Sequence, residues 1–430
     1  MNQLFFVLFV PLILVGSLSF ISTDSGYLHL ENSIQASRVG LNGPSQDGSG
    51  NPCPEGQFLD IAQSTCFPLA KNFGFQLDEF VGAFENRIFN LDECTGTALD
   101  ELLDEMTPTG GTALLPECVI EIDHSMTIPS NVIFQGSGID KTTLVASPDF
   151  TGNMLRGKEA ENIIIRDLTL DGMGTDSTGI VVWYVRNVLI ERVRVHHNGD
   201  NGITFRYATQ ITVRYSESHD HTRWHGINSK DCFPDNENVP DLEECREDAG
   251  ETSPGVLWSR DYALYSNRLY NNGEYGINAH ASFGEIAGNL VENNLYGSKF
   301  PDASFLWIHQ NRFAQNHLWG TRSYNTLDRS ARLAKDVVFY QNQFEENGDY
   351  PIRVTNPAQS IFIIDNQYQN NSENRLRIDD VTTFICPDTA ESSLEVDGDA
   401  PQTATLDQCT LANIAELFEL STLYLPYINP

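Results

Sequence analysis

The chain has 430 residues, of which 40% are hydrophobic and 10% aromatic, a composition that excludes a disordered chain and fits a folded one. Its formal net charge of −33 argues against a nucleic-acid partner and leaves room only for a local basic groove. The acidity sits at the two ends and within residues 231–251, while the rest of the middle is balanced.

Residues 4–21 form an uncharged apolar run interrupted by Pro11, with Ser17, Ser19 and Ser22 near its end. This suits a cleavable signal peptide over 1–22, with an uncleaved signal anchor as the alternative. A secreted or extracellular protein is expected, attached to a membrane only if the anchor is kept. The eight cysteines are even in number and contain no C-x-x-C pair, so four disulfides are expected. Pairing of neighbours would give Cys53–Cys66, Cys94–Cys118, Cys232–Cys245 and Cys386–Cys409. Zinc is the weaker reading of the same residues.

Residues 23–52, rich in Ser, Gly and Asn, read as a flexible linker, and 53–97 as a disulfide-tied lead-in. Apolar residues at helical spacing over 98–106 predict one amphipathic helix. Gly110-Gly111-Thr112 and strand-like runs at Val119–Ile122, Val132–Phe134 and Thr143–Val145 follow, with a Gly136-Ser137-Gly138 turn between the last two. This order resembles the opening of pectate-lyase-like β-helices, in which the helix would cap the first coil and shield its strand edges.

From about residue 160 the chain repeats. Asn198, Asp220, Asn272, Asn294, Asn316, Asn347 and Asn371 fall in one column, and Asn267, Asn289, Asn311, Asn342 and Asn366 in a second. The commonest interval is 22 residues, and the two longest place insertions at roughly 229–256 and 323–333. A period of this size carrying β-branched triplets predicts one coil of a three-sheet, right-handed parallel β-helix over 98–378. Asparagines recurring at a corner can form a ladder that satisfies turn backbone. Leucine-rich repeats have a similar period, but no Leu-x-x-Leu-x-Leu frame is present. The final segment, 379–430, is expected to be a C-terminal cap, with a terminal helix over Leu411–Leu420.

Several coils share a strand that opens with Gly: Gly202–Arg206, Gly226–Lys230 and Gly276–His280, with looser versions at Gly297–Lys299, Gly320–Arg322 and Pro351–Arg353. Alternation sends residues +2 and +4 outward and +1 (Ile203, Ile227, Ile277) into the core. One face would then show Thr204, Arg206, Asn228, Lys230, Asn278, His280, Lys299, Arg322 and Arg353. Such a stripe on an acidic protein suits a long anionic chain, above all an acidic polysaccharide of the polyuronate class. The plainer reading is that exposed strand positions simply carry polar residues.

Tyr275-Gly276-Ile277-Asn278-Ala279-His280-Ala281 resembles the Tyr-Gly-x-Asp-Pro-His-Asp/Glu signature of mannuronan (alginate) C5-epimerases, and the similarity continues through Asn293–Lys299. The resemblance implies His280 as the base that abstracts a proton, Tyr275 as its partner in proton transfer, and Arg322 with Lys299 as neutralisers of the substrate carboxylate. Asn278, Ala279 and Ala281 depart from the family's Asp, Pro and final acid. Arg322 stands in by position for the family's arginine. Epimerisation and β-elimination by a polysaccharide lyase share the carbanion step, so both remain open.

A second polar cluster, Ser218–His225, offers Trp224 and His225 as sugar contacts; plain turn residues are the alternative. His196-His197 reads as a surface turn, and no metal site is expected. The acidic insertion 231–251 offers calcium ligands without EF-hand spacing, so Ca²⁺ stays open as a cofactor beside the favoured reading of a solvated loop. Polygalacturonase-type hydrolysis is set aside because the coils contain no Asp-Asp or Gly-His-Gly motif. The expectation is a monomeric secreted enzyme, with a non-catalytic polysaccharide-binding or structural surface protein as the alternative.

Overall fold

In the computed structural model, the described residues are 57–60, 65–68, 73–83, 87–230, 259–301, 303–324, 335–355, 359–373, 375–379, 383–385, 395–398 and 402–403. Gln57–Asp60 and Thr65–Pro68 pair antiparallel as a separate ribbon, and the remaining strands form a parallel β-helix. One coil consists of the strands Arg260–Tyr265, Arg268–Tyr270 and Tyr275–Ala279, and each strand pairs in parallel with its counterpart in the next coil. The third strands stack into an eleven-stranded sheet that runs from Met126–Thr127 to Glu395–Gly398. Pairing therefore continues past residue 378, and at the other end Ile88–Asn90 pairs with Gly111–Leu114. Both lie outside the expected span of 98–378.

The corners explain why the sequence is so rich in asparagine. Single residues in the left-handed region, among them Ser266, Asn271, Asn293, Gln310, Gln315 and Glu346, bend the chain between strands. The residue that follows such a bend is often the ladder asparagine. Asn272 donates to Asn294 at 2.9 Å, Asn294 to Asn316 at 3.2 Å, Asn316 to Asn347 at 2.9 Å and Asn347 to Asn371 at 2.8 Å. The second column, Asn267 to Asn366, is linked in the same way at 2.9–3.0 Å. Each ladder side chain also accepts a backbone N–H or donates to a backbone carbonyl, so most of the buried turn is satisfied, with the Asn272 Oδ1 an exception among the described residues.

One member of the first column needs correction. The buried position expected for Asp220 belongs to His221, whose Nδ1 accepts from the Asn198 N–H at 3.3 Å. Burial lowers the His221 pKa well below its ordinary value, so the ring is neutral and can accept as an asparagine carbonyl would. Asp220 instead accepts from His219 Nδ1 at 2.6 Å. A histidine one position along does not fit the asparagine pattern, so the repeat alone points to Asp220.

Helix α1 (Leu77–Ala83) and helix α2 (Gly96–Met106) precede the coils. Thr95 caps α2, its hydroxyl accepting from the Ala98 N–H at 3.2 Å. Leu99, Leu102, Leu103 and Met106 give α2 a buried face against the first coils. The cap expected over 98–106 is thus present, and Cys94–Cys118 ties its leading end to the second strand of the first coil. The other three expected pairs, the apolar run 4–21, the acidic insertion and the terminal helix over Leu411–Leu420 lie outside the described residues. Among the described residues no helix is long and apolar enough to cross a membrane.

The lead-in has a role that its sequence did not show. Phe73 packs against Ala263, Tyr265 and Ala287, and Phe80 against Ile133, Ile164 and Leu189, all on the outer face of the other strands. Gly74 N–H donates to Asp261 at 2.8 Å and Gln76 N–H to Asn187 at 2.6 Å. Residues 73–83 are therefore a strap laid across several coils, away from the eleven-stranded sheet.

Candidate functional site

Strand register places the outward side chains of the eleven-stranded sheet in two rows. The first runs Arg156, Val181, Thr204, Asn228, Asn278, Lys299, Arg322, Arg353 and Arg377, each in register with the next. The second runs Lys158, Trp183 and Arg206; the backbone position of Lys230 follows in register, and His280 continues the row after Asn278 and Ala279. Successive members lie about 4.8 Å apart, the spacing of paired strands. The looser Gly-opened frames at Lys299, Arg322 and Arg353 are thus in true register, and Ile203, Ile227 and Ile277 point into the core.

Lys158 and Arg377, at the ends of these rows, pair with Glu159 at 3.5 Å and Asp379 at 2.8 Å, but the other described cations of the rows differ from the arginines elsewhere. Arg186, Arg192, Arg194, Arg214, Arg223, Arg268 and Arg312 each reach a carboxylate at 3.2 Å or less. Among the described residues no carboxylate lies within 4 Å of the charged groups of Arg156, Arg206, Lys299, Arg322 or Arg353. Arg322 donates to Thr355 Oγ1 at 2.9 and 3.2 Å, and Arg353 Nε is buried without an acceptor among the described residues. Partly buried positive charge lacking a counterion is costly unless an anion arrives. On a protein of charge −33, five cations on one face without a close carboxylate among the described residues make a surface suited to an external anion.

Beside the first row runs a stack of rings. His225 meets Tyr275 edge-on at 5.4 Å; Tyr275 stacks on Tyr296 at 4.7 Å and Tyr296 on Trp319 at 4.2 Å. These residues precede the opening glycines of their strands, and the missing Cβ at Gly276 and Gly297 lets neighbouring coils close up: a Cβ at Gly297 would stand 2.1 Å from the Gly320 carbonyl. The cations lean on the rings. Lys299 Nζ lies 4.3 Å above Tyr275, Arg322 lies 4.2 Å from Tyr324 and 5.6 Å from Trp319, and Arg353 lies 5.2 Å from Trp319. The structure thus brings Tyr275, Lys299 and Arg322 into one cluster.

Burial pushes the Tyr275 hydroxyl far above its usual range, Glu274, Tyr324 and Tyr296 adding to the rise while Arg322 opposes it. The hydroxyl therefore stays protonated and is suited to donate. Burial also lowers Lys299, against the pull of Glu274, and lowers Arg322, against that of Tyr324. Glu274 is itself raised by burial, and its Oε2 lies 3.4 Å from His225 Nδ1. An arriving carboxylate would relieve both cations at once.

Asn278 donates to Asn228 Oδ1 at 2.9 Å, which leaves its own buried Oδ1 without a donor among the described residues. His280 stands half-buried two residues beyond Asn278, with its backbone N–H on the Ser229 carbonyl at 3.5 Å. It belongs to the row of Arg206 and Lys230, and Tyr275 to the stack at the other end of the strand. Trp224 is 45% exposed and edge-on to the buried His225 at 5.8 Å. His225 serves the ring stack and Glu274, and Trp224 is the member of this pair with a face open to solvent.

Three groove residues escaped sequence reasoning. Gly179-Ile180-Val181-Val182-Trp183 fits the Gly-opened frame, so Trp183, with Lys158 and Arg206 each 5.8 Å from its ring, was within reach. Arg156 and Lys158 carried no such signal, because Met154 occupies the place of the glycine.

A sequence profile described as right handed beta helix region matches residues 119–240. No curated protein matches the chain in sequence. Among solved structures, the A-module of a mannuronan C-5 epimerase from Azotobacter vinelandii is similar with a TM-score of 0.53 at 18% identity, over 76% of this chain and 89% of that one. ORF18 of Geobacillus virus E2 also gives 0.53, at 11% identity over 70% of this chain and 61% of that one. At these identities the likeness carries the fold alone: this chain is a right-handed parallel β-helix.

Proposed function

We propose that this protein is a secreted, carbohydrate-active β-helix that binds an acidic polysaccharide along the eleven-stranded sheet and abstracts a proton from C5 of a uronate unit. The observation that supports this reading is the in-register row Lys299, Arg322 and Arg353, which lacks carboxylate partners among the described residues and lies against the Tyr275 stack. Lys299 and Arg322 neutralise the substrate carboxylate, which lowers the barrier to removing the neighbouring proton. His280 is the base, and Tyr275, held protonated, supplies a proton to the opposite face or to the departing sugar. Asn278, Asn228, Arg206, Lys230, Trp224, His225 and Arg353 contact the flanking sugars. Similarity of fold to a structure named for mannuronan epimerisation agrees with a mannuronan-type substrate.

A second reading is a non-catalytic glycan-binding surface protein. It is favoured by Asn278, a neutral amide bound to Asn228 in the place of the family's carboxylate, which cannot raise the basicity of His280 by charge. Binding of polymannuronate, polygalacturonate and a neutral glucan at low and high salt tests the shared part. Saturable, salt-sensitive binding of the acidic polymers alone is expected, and equal affinity for the neutral glucan would sink both readings. Product analysis after incubation with polymannuronate separates enzyme from binder.

A further inference from the structure

Away from the groove, a second set of side chains converges at the corner that leads from the longest strands into the eleven-stranded sheet. Asp171 and His196 are register partners at the ends of Glu161–Asp171 and Arg186–His196, and His197 follows directly in the left-handed conformation. Three atoms face one another: His196 Nδ1 and His197 Nδ1 at 2.8 Å, His197 Nδ1 and Asp171 Oδ1 at 3.2 Å, His196 Nδ1 and Asp171 Oδ1 at 3.5 Å. We propose that Asp171, His196 and His197 form a binding site for a late first-row divalent cation of the zinc, cobalt or nickel class.

The chemistry of the three atoms is the argument. Each can present a lone pair, and a single shared proton can link only two of them at a time. A cation satisfies all three. Ligand atoms about 2.0–2.1 Å from a tetrahedral zinc stand about 3.3 Å apart, and the three separations here straddle that value. Two imidazoles and one carboxylate select such metals over calcium or magnesium, which take oxygen ligands. The supporting shell is in place. His219 stacks on His196 at 5.2 Å and is held by Asp220, while Tyr270 stacks on the far side of His219 at 4.3 Å. Arg194, the nearby cation, is engaged by Asp140 at 2.6 Å and Glu217 at 2.9 Å, so its charge is already balanced. The His197 side chain is 51% exposed and gives an ion access from solvent. Three protein ligands leave a position open for water or for an oxygen of a bound molecule.

The site would also brace the fold. Asn198 Nδ2 donates to the His196 carbonyl at 3.2 Å, so the liganded strand end is the one that begins an asparagine corner. Titration calorimetry of the full chain with Zn²⁺, and visible absorption with Co²⁺, provide the test. One equivalent bound per chain is expected, with a ligand-field band for cobalt and a rise in melting temperature on adding zinc. Replacement of the exposed ligand, His197→Ala, should weaken binding at least about tenfold and abolish the zinc-dependent rise while leaving the metal-free melting temperature unchanged. Asp171→Asn should act likewise. His124→Ala, which removes an exposed histidine paired with Asp123 and Asp100 elsewhere, should change nothing. Absence of saturable binding by the unaltered chain would overturn the proposal, as would wild-type affinity in both ligand variants.

Discussion

Replacing Arg322 by glutamine should weaken polysaccharide binding while sparing the fold, the opposite of what a paired arginine would do. The guanidinium is partly buried, among the described residues reaches only Thr355 Oγ1 through its hydrogen bonds, and leans on Tyr324 and Trp319. Burial already lowers its pKa, so removing the charge relieves a desolvation cost that offsets the lost bonds. Glutamine is also long enough to keep a hydrogen bond to Thr355. Stability should therefore stay within about 1 kcal/mol of the unaltered protein. A charge-assisted bond to a substrate carboxylate contributes about 2 kcal/mol, so Kd for polymannuronate should rise roughly 30-fold. Arg192→Gln is the contrasting control. Arg192 binds Asp167 at 2.6 and 3.1 Å and Glu191 at 3.1 Å; Glu191 keeps Arg214 at 2.8 Å, but Asp167 loses both short bonds, so the replacement should cost about 2 kcal/mol with no effect on binding. Urea denaturation read by circular dichroism and calorimetry with the polymer give the two quantities. Binding unchanged in Arg322→Gln, or destabilisation as large as that of Arg192→Gln, would refute the reasoning.

Three further outcomes follow from particular residues. Asn289→Ala removes donors to Leu264 O, Ala287 O and Asn311 Oδ1 and the acceptor for Asn267, all buried, so unfolding free energy should fall by about 3 kcal/mol or more; a loss under 1 would mean the ladder is decorative. Burial raises Asp261 from 3.8 to about 6, so its contribution to stability is present below pH 3.8 and is lost as pH rises through 6. Asp261→Asn, which still accepts from Gly74, should therefore stabilise by up to about 3 kcal/mol at pH 7.5 and change little at pH 3.5; the reverse pH order in denaturation curves would show the strap is held differently. Trp183→Ala should lower polymannuronate affinity about tenfold without shifting the melting temperature, and unchanged affinity would confine the binding surface to the coils after Arg206.

The repeat was legible because the corner asparagines carry the fold's backbone hydrogen bonds, so their spacing is the coil length itself. The outward row was legible for the same reason: Gly followed by alternating polar residues marks each strand of the eleven-stranded sheet, even where the frame at Lys299, Arg322 and Arg353 is imperfect. His221 was misplaced because a neutral histidine can do an asparagine's work without matching its pattern. The strap formed by Phe73, Phe75 and Phe80 could not be read, since packing across the outer faces of distant strands leaves no period in the sequence. Nor could the lack, among the described residues, of a carboxylate within 4 Å of Arg206, Lys299, Arg322 and Arg353, which depends on where register sends each acid. Asp171, His196 and His197 converge only because coils about 25 residues apart stack in register.

In the proposed reaction the stretch Tyr275–Ala281 would supply both the base and the proton donor, and proton transfer at C5 is what distinguishes an enzyme from a binder. Polymannuronate incubated with the purified protein in deuterated water should acquire deuterium at C5, with guluronate signals in the NMR spectrum or unsaturated chain ends in the ultraviolet. His280→Ala should abolish this exchange while keeping polymer binding within about threefold, since a half-buried histidine contributes little to holding the chain. Full binding by the unaltered protein with no deuterium at C5, no guluronate and no unsaturated ends would contradict the catalytic reading.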